Sequence, residues 1–133
     1  MKEVADFLQE NRNGFLATVE AGRPKVRPFQ FMFETDGKFV FCTSNKKPVF
    51  AQLKKTPYVE FSAMTPAFAW VRLSGAVQFS TDLAMKSRII AENALVRSIY
   101  KAADNPDFEI FYLEHGQAIL ADFYGHPART FTF

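Results

Sequence analysis

The sequence predicts a mainly β chain with flanking helices, an α+β fold whose antiparallel strands close into a small barrel, and three observations carry that prediction. Sixteen phenylalanines stand against one tryptophan and four tyrosines, and bulky aromatic fillers suit pleated, half-buried surfaces and narrow barrel interiors. Apolar runs alternate and are separated by turn signals at Ala21-Gly22-Arg23-Pro24, Thr35-Asp36-Gly37-Lys38 and Met64-Thr65-Pro66. Helical spacing is confined to the N-terminus, a segment after Pro48 and one late interruption after Asp82.

Taken in order, residues 2–13 place Val4, Phe7, Leu8 and Asn11 at helical spacing, with Gly14 where a glycine cap belongs. Phe15 to Glu20 alternates as a strand, Lys25 to Phe33 reads as a second, and the turn at Asp36-Gly37 folds it onto Phe39 to Thr43, giving a three-stranded meander. Pro48 suits the first turn of a short helix with Val49, Phe50 and Leu53 on its apolar face, ended by Thr56-Pro57. Tyr58 to Ala63 is a fourth strand. Phe68 to Phe79 reads as one long fifth strand in which Gly75 suits a bulge or a barrel bend. Thr81-Asp82 can cap a helix through Met85 and Ile89, and a second helical stretch runs from Asn93 to Ala102. Phe108 to His115 and Gln117 to Phe123 complete the sheet, and the tail from Gly125 to Phe133 suits an edge strand or a partner-clasping arm.

Composition narrows the function. At 133 residues with 48% hydrophobic content the chain is long enough for one core, which predicts a single domain over residues 1–133. The net charge of +2 sets up no strong field, and the lysine pairs Lys46-Lys47 and Lys54-Lys55 are too sparse for a nucleic-acid surface. The single cysteine, Cys42, excludes an intrachain disulfide and sits in an apolar run as a small buried hydrophobe. The charged N-terminal segment has no long apolar core, and no run approaches membrane-spanning length; both point to a cytoplasmic protein without a membrane partner.

Three constellations carry candidate chemistry. Alternation along Lys25 to Phe33 sends Val26, Pro28, Gln30 and Met32 to one face and Arg27, Phe29, Phe31 and Phe33 to the other. Proline removes a ladder donor and leaves neighbouring backbone groups free for a flat polar ligand, although it also serves simply to blunt an edge strand. The loop Thr43-Ser44-Asn45-Lys46-Lys47-Pro48 sets two hydroxyls, an amide and two ammonium groups before a helix N-terminus, an arrangement that suits a phosphate. Ser44 or Asn45 as a helix cap and the lysines as solvated charge explain the same letters. In the fifth strand Phe68, Trp70, Arg72 and Ser74 share one face, which suits an interface, a planar-ligand site or a cation-π pair capping the barrel.

Other candidates are weaker. His115 and His126 do not combine with Cys42 at zinc-ligand spacing, so no metal is expected. No Gly-x-Ser-x-Gly, His-Glu-x-x-His or Gly-x-Gly-x-x-Gly pattern occurs. Asp122, a carboxylate inside an apolar run, needs a partner, and Arg129 or Arg72 is expected to supply it in a structural ion pair.

Read in order, Arg27-Pro28-Phe29-x-Phe31, the loop Phe41-Cys42-Thr43-Ser44-Asn45-Lys46-Lys47 with Pro57-x-Val59 after the helix, and Trp70-Val71-Arg72-Leu73-Ser74-Gly75 resemble the pyridoxamine 5'-phosphate oxidase-like FMN-binding split-barrel family. The short length and the ending Arg129-Thr130-Phe131-Thr132-Phe133 are similar to its small members, including flavin reductases of the nitroimidazole-resistance type. The resemblance implies an antiparallel split β-barrel of the FMN-binding type. It implies that the backbone of the strand from Arg27 through Pro28, Phe29 and Gln30 to Phe31 runs beside the isoalloxazine, while Thr43, Ser44 and Lys47, with Lys46 as second choice, hold the phosphate. It also implies a homodimer with FMN at the interface, the strand bearing Trp70 and Arg72 contributing from the partner. Trp70 stands where family enzymes often carry a glutamine, which makes it a ring-packing or pocket-wall residue. The C-terminal Trp and Arg-x-x-Pro features of authentic pyridoxamine phosphate oxidases are missing, which points away from that activity.

The resulting expectation is an FMN-dependent oxidoreductase, a reductase or oxidase carrying electrons from NAD(P)H to a small aromatic or nitroaromatic acceptor. Alternatives are a split-barrel protein binding haem or a deazaflavin, or a flavin-binding protein without catalysis. No catalytic side chain is singled out, because the reactive chemistry belongs to the cofactor.

Overall fold

The computed structural model describes residues 1–133. Its elements run α1 (Lys2–Glu10), β1 (Asn13–Glu20), β2 (Arg23–Gln30), β3 (Phe33–Thr35), β4 (Lys38–Ser44), α2 (Pro48–Lys55), β5 (Tyr58–Met64), β6 (Ala69–Ala76), β7 (Gln78–Ser80), α3 (Leu83–Glu92), α4 (Ala94–Tyr100), β8 (Phe108–Leu113), β9 (Gly116–Asp122) and β10 (Arg129–Thr132). Two antiparallel sheets result, one of six strands in the order β10-β9-β6-β5-β1-β2 and one of four in the order β3-β4-β8-β7.

Two strands that read as continuous in the sequence are divided between these sheets. The amide of Phe31 donates to Arg12 O at 2.8 Å, on the β1 side, while the next amide, Met32, donates to Val40 O at 3.0 Å in β4. Successive backbone groups thus hand the chain from one sheet to the other. The predicted meander is corrected accordingly: β1 pairs with β2, and β3 with β4, in different sheets. The same happens at Val77, whose amide donates to Pro57 O at 2.8 Å beside the larger sheet, whereas Gln78 pairs with Tyr112 in the smaller one. Gly75 is neither a bulge nor a bend. It pairs in register with Gly116, and a Cβ on Gly75 would stand 2.5 Å from His115 O, so glycine there permits close approach of two backbones.

The barrel interior is aromatic. Leu16, Phe31, Phe39, Phe41, Phe61, Leu73 and Phe111 are fully buried in one cluster, and Phe41 stacks on Phe111 with centroids 5.5 Å apart. Burying each such side chain contributes about 1.5–3 kcal/mol. A second cluster packs Met32, between β2 and β3, and Val40, Cys42 and Ile110 of the smaller sheet against Ile89 of α3 and Val96 and Tyr100 of α4. Strand β4 is therefore covered on both faces, Phe39 and Phe41 on one and Val40 and Cys42 on the other, which explains its unbroken apolar run. The tail resolves as an edge strand: β10 pairs with β9, Phe133 packs on Phe39 at 5.0 Å, and Arg129 grips Glu3 of α1.

Candidate functional site

A cleft of about 310 Å³ opens where the two sheets part. Its floor comes from Asn13 and Gly14 at the start of β1, Pro28, Phe29 and Gln30 at the end of β2, and Met32, Cys42 and Thr43. One wall is α4, through Leu95, Val96, Ile99 and Tyr100, and Lys47 stands at the entrance to α2. The handover at Phe31-Met32 creates this space, because β2 leaves the barrel where β4 begins to be covered by α4.

One end of the cleft carries Thr43 and Lys47. Thr43 is 2% exposed, and its Oγ1 is buried with no hydrogen-bond partner, a condition that costs stability unless a ligand relieves it. Lys47 is the N-cap residue of α2, exposed, with no side chain capping the helix and Pro48 at its first turn. The intervening loop is held from outside: Asn45 donates to Pro106 O at 2.8 Å and to Glu109 at 3.0 Å, and the Ser44 hydroxyl accepts from the Lys46 amide at 3.1 Å. Asn45 and Ser44 thus fix the loop and do not cap the helix.

The other end is bordered by amides. Gln30 Nε2 donates to Asn13 Oδ1 at 2.9 Å, and Asn93 Nδ2 donates to Gln30 Oε1 at 2.7 Å. Between the two ends the walls are apolar and neutral. Burial pushes the Cys42 thiol up to about 12, with Lys47 opposing, and burial likewise pushes the Tyr100 phenol up to about 12. No carboxylate or imidazole lines the cleft. A planar ligand with an anionic end matches this donor set.

Of the residues the sequence singled out, the cleft brings together Pro28, Phe29, Gln30, Thr43 and Lys47. It does not include Arg27, Phe31, Ser44, Lys46, Trp70 or Arg72. Arg27 turns the other way, donating to Gln52 Oε1 of α2 at 2.7 Å and to Leu16 O at 3.1 Å. Burial lowers its pKa, with Glu20 working against the shift. Phe31 is fully buried in the barrel. Trp70 and Arg72 stack together at 5.3 Å on the outer face of the larger sheet, and Arg72 stands 3.6 Å from Glu60. Trp70 lines a separate cavity with Asp122, His126 and Arg129, and its Nε1 is buried without a partner.

Asp122 has neither arginine partner. Its carboxylate takes the Tyr124 amide at 2.7 Å and lies 2.6 Å from His126 Nδ1, and these contacts, the amide foremost, lower its pKa. Arg129 is engaged by Glu3 instead. No group of three or more metal-ligating side chains is present. Sequence reasoning missed Asn13, Gly14 and the whole α4 wall. A signal existed: Leu95 with Ile99 and Val96 with Tyr100 form two adjacent apolar pairs four residues apart, a broader stripe than one core contact uses.

Fold and cleft together define an antiparallel split-barrel protein with a groove where its two sheets part. The chain belongs to the pyridoxamine 5'-phosphate oxidase family, whose sequence model matches residues 1–119. Its structure is similar to that of a NimC/NimA family protein from Clostridium acetobutylicum, at 32% identity and a TM-score of 0.90 over 100% of this chain and 92% of that one. It also resembles a pyridoxamine 5'-phosphate oxidase-related, FMN-binding protein from Nostoc punctiforme, at 18% identity and a TM-score of 0.77 over 99% and 95% of the two chains. A heme-binding protein from Mycobacterium smegmatis shares the fold at 20% identity and a TM-score of 0.80 over 98% of this chain and 56% of that one. No curated protein is a significant sequence match. No helix is long and apolar enough to cross a membrane.

Proposed function

We propose that the chain is an FMN-binding flavoprotein, a reductase or oxidase that carries electrons from NAD(P)H through FMN to a small aromatic or nitroaromatic acceptor. The observation that carries this reading is the buried, unpartnered Thr43 hydroxyl in the same cleft as Lys47. It supplies a neutral donor and a cation where a phosphate would bind. The 32% identity to a NimC/NimA family protein along the whole chain supports it.

Bound FMN would supply the hydride and electron chemistry. The chain's own part is to bind and shield. Thr43 and Lys47 hold the phosphate, and exposed Lys46 adds charge nearby. The amides of Gln30 and Asn13 meet the polar edge of the ring, and Leu95, Val96 and Ile99 exclude water beside it. Cys42 and Tyr100 stay protonated and neutral at working pH, so the apolar wall carries no charge of its own. With no carboxylate or imidazole in the cleft, protons reach an acceptor from solvent.

In this reading the functional unit is a homodimer in a cytoplasmic, reducing setting, with Trp70 and Arg72 of each protomer turned toward the other. A haem reading has less support: neither His115 nor His126 lines the cleft. The test is the visible spectrum of freshly purified protein, followed by identification of the released chromophore and NAD(P)H oxidation with and without a nitroaromatic acceptor. A flavin spectrum with FMN, not FAD, released on denaturation is expected. A haem spectrum, or colourless protein that FMN cannot reconstitute, overturns the proposal.

A further inference from the structure

We infer that Asn93 is a positioning residue that sets the direction of a three-amide chain and thereby makes the ring end of the cleft a surface of hydrogen-bond donors. The inference rests on the flavin reading for its ligand, and on the protein alone for its geometry.

A side-chain amide is nearly symmetric in shape, so its oxygen and nitrogen exchange places unless a neighbour forbids it. Asn93 has such a neighbour. Its Oδ1 accepts from the Val96 backbone amide at 3.0 Å as the N-cap of α4, and a backbone N–H can only donate. The oxygen of Asn93 is therefore fixed toward the helix, and its NH2 group toward Gln30 Oε1 at 2.7 Å and Met32 Sδ at 3.7 Å, both acceptors. Gln30 is fixed in turn: with its oxygen on Asn93, its nitrogen donates to Asn13 Oδ1 at 2.9 Å.

Direction passes from the buried Asn93 through the half-buried Gln30 to the exposed Asn13. Of the two lining amides, Asn13 keeps two N–H hydrogens and Gln30 one, against one spare lone pair on each oxygen, so donors outnumber acceptors. A ligand edge rich in carbonyl oxygens and imine nitrogens is matched better than an edge rich in donors. Donors also stabilise a ring that gains electrons more than the oxidised ring, so this orientation raises the potential of a bound flavin. The same residue starts α4, whose Leu95 and Ile99 form the apolar wall, so one side chain orients both the polar and the apolar border.

Two variants test this beside Lys47→Ala. Asn93→Asp keeps an oxygen for the Val96 amide, since aspartate and asparagine cap alike, but faces Gln30 with an acceptor. Gln30 must then turn its nitrogen to Asp, Asn13 must follow, and the cleft acquires acceptors. Asn93→Ser keeps an uncharged cap, is too short to reach Gln30, and releases the chain's direction. In the unliganded protein, side-chain amide NMR contacts of Gln30 should shift from Asn13 toward residue 93 in Asn93→Asp and split between two orientations in Asn93→Ser. FMN and riboflavin affinities should fall together by about tenfold in Asn93→Asp, the scale of one net hydrogen bond lost, and the potential of the bound flavin should drop. Lys47→Ala should affect FMN alone. An unchanged Gln30 orientation in Asn93→Ser, or wild-type affinity for both flavins with an unchanged potential in either variant, overturns the inference. Wild-type protein that binds neither flavin overturns the flavin reading, while the NMR result still decides whether Asn93 directs the chain.

Discussion

At the scale of single residues, the cleft holds a group that the unliganded protein would be better without. The Thr43 hydroxyl is buried and unpartnered, so Thr43→Val, nearly isosteric and well suited to a strand, should stabilise the ligand-free protein by about 1 kcal/mol. The same change should weaken FMN binding. Thermal unfolding with and without FMN reads both signs, and a variant destabilised in both states would show that the hydroxyl serves the fold. Lys47→Ala should weaken FMN by roughly 1.5–3 kcal/mol, the scale for a hydrogen bond to a charged group, and leave riboflavin, which has no phosphate, nearly unchanged. Lys54→Ala is the control, because its ammonium lies over the Phe79 ring at 4.1 Å at the far end of α2. Equal losses for FMN and riboflavin in Lys47→Ala would mean that Lys47 supports the fold, and no loss for either would move the phosphate to Lys46 or away from this loop. Cys42 gives a prediction tied to pH. Its thiol, pushed up to about 12 by burial, should resist alkylation in native protein at about pH 8.5 and react at the ordinary rate once denatured. Mass spectrometry of both samples reads the difference.

Among the elements, α2 bears most on the site because its entrance carries Lys47. Its far half is tied to the barrel through Gln52, which accepts from Thr18 and from Arg27 at 2.7 Å and donates to Glu20 at 3.2 Å. Gln52→Ala would leave the buried Thr18 hydroxyl without its acceptor and the part-buried Arg27 with Leu16 O alone, a loss of about 1–3 kcal/mol. A fall in melting temperature of several degrees should follow, with a smaller effect on FMN affinity than Lys47→Ala causes. Legibility in the sequence divides along the same physical line. The helix after Pro48, the Asp82 cap of α3 and the Asp36-Gly37 hairpin were readable because each rests on local chemistry. The breaks at Phe31-Met32 and Val77 were not, since alternation continues through them and only long-range amide partners, Arg12 O, Val40 O and Pro57 O, divert the chain. Those breaks create the cleft. Thr43, Lys47, Pro28 and Gln30 lie on short contiguous segments that the sequence singles out and the cleft brings together, whereas the bond of the Arg27 side chain to Gln52, 25 residues away, has no local signal.

For the whole molecule, the outer face of the larger sheet has no cover. Pro28, Phe15, Ser62, Arg72 and Ile119 lie side by side across β2, β1, β5, β6 and β9. Phe15 is 58% and Val26 68% exposed, and Tyr58 and Met64 are also exposed. A stripe of this breadth calls for a partner surface. A second copy of the chain would present the same stripe, and a two-fold axis makes such a patch self-complementary. The stripe begins at Pro28, a residue of the cleft, so a partner seated on it would reach the ligand. The prediction is a symmetric homodimer in sedimentation. Phe15→Glu, which sets two charges on that patch without touching the barrel interior, should shift the protein to monomer and weaken FMN and riboflavin together, because the loss lies at the shared border and not at the phosphate. A wild-type monomer with FMN fully bound would remove the shared site. A Phe15→Glu variant that remains dimeric would place the interface on a different face, and the Trp70-Arg72 pair would then be a solvent-facing stack on the outside of the barrel.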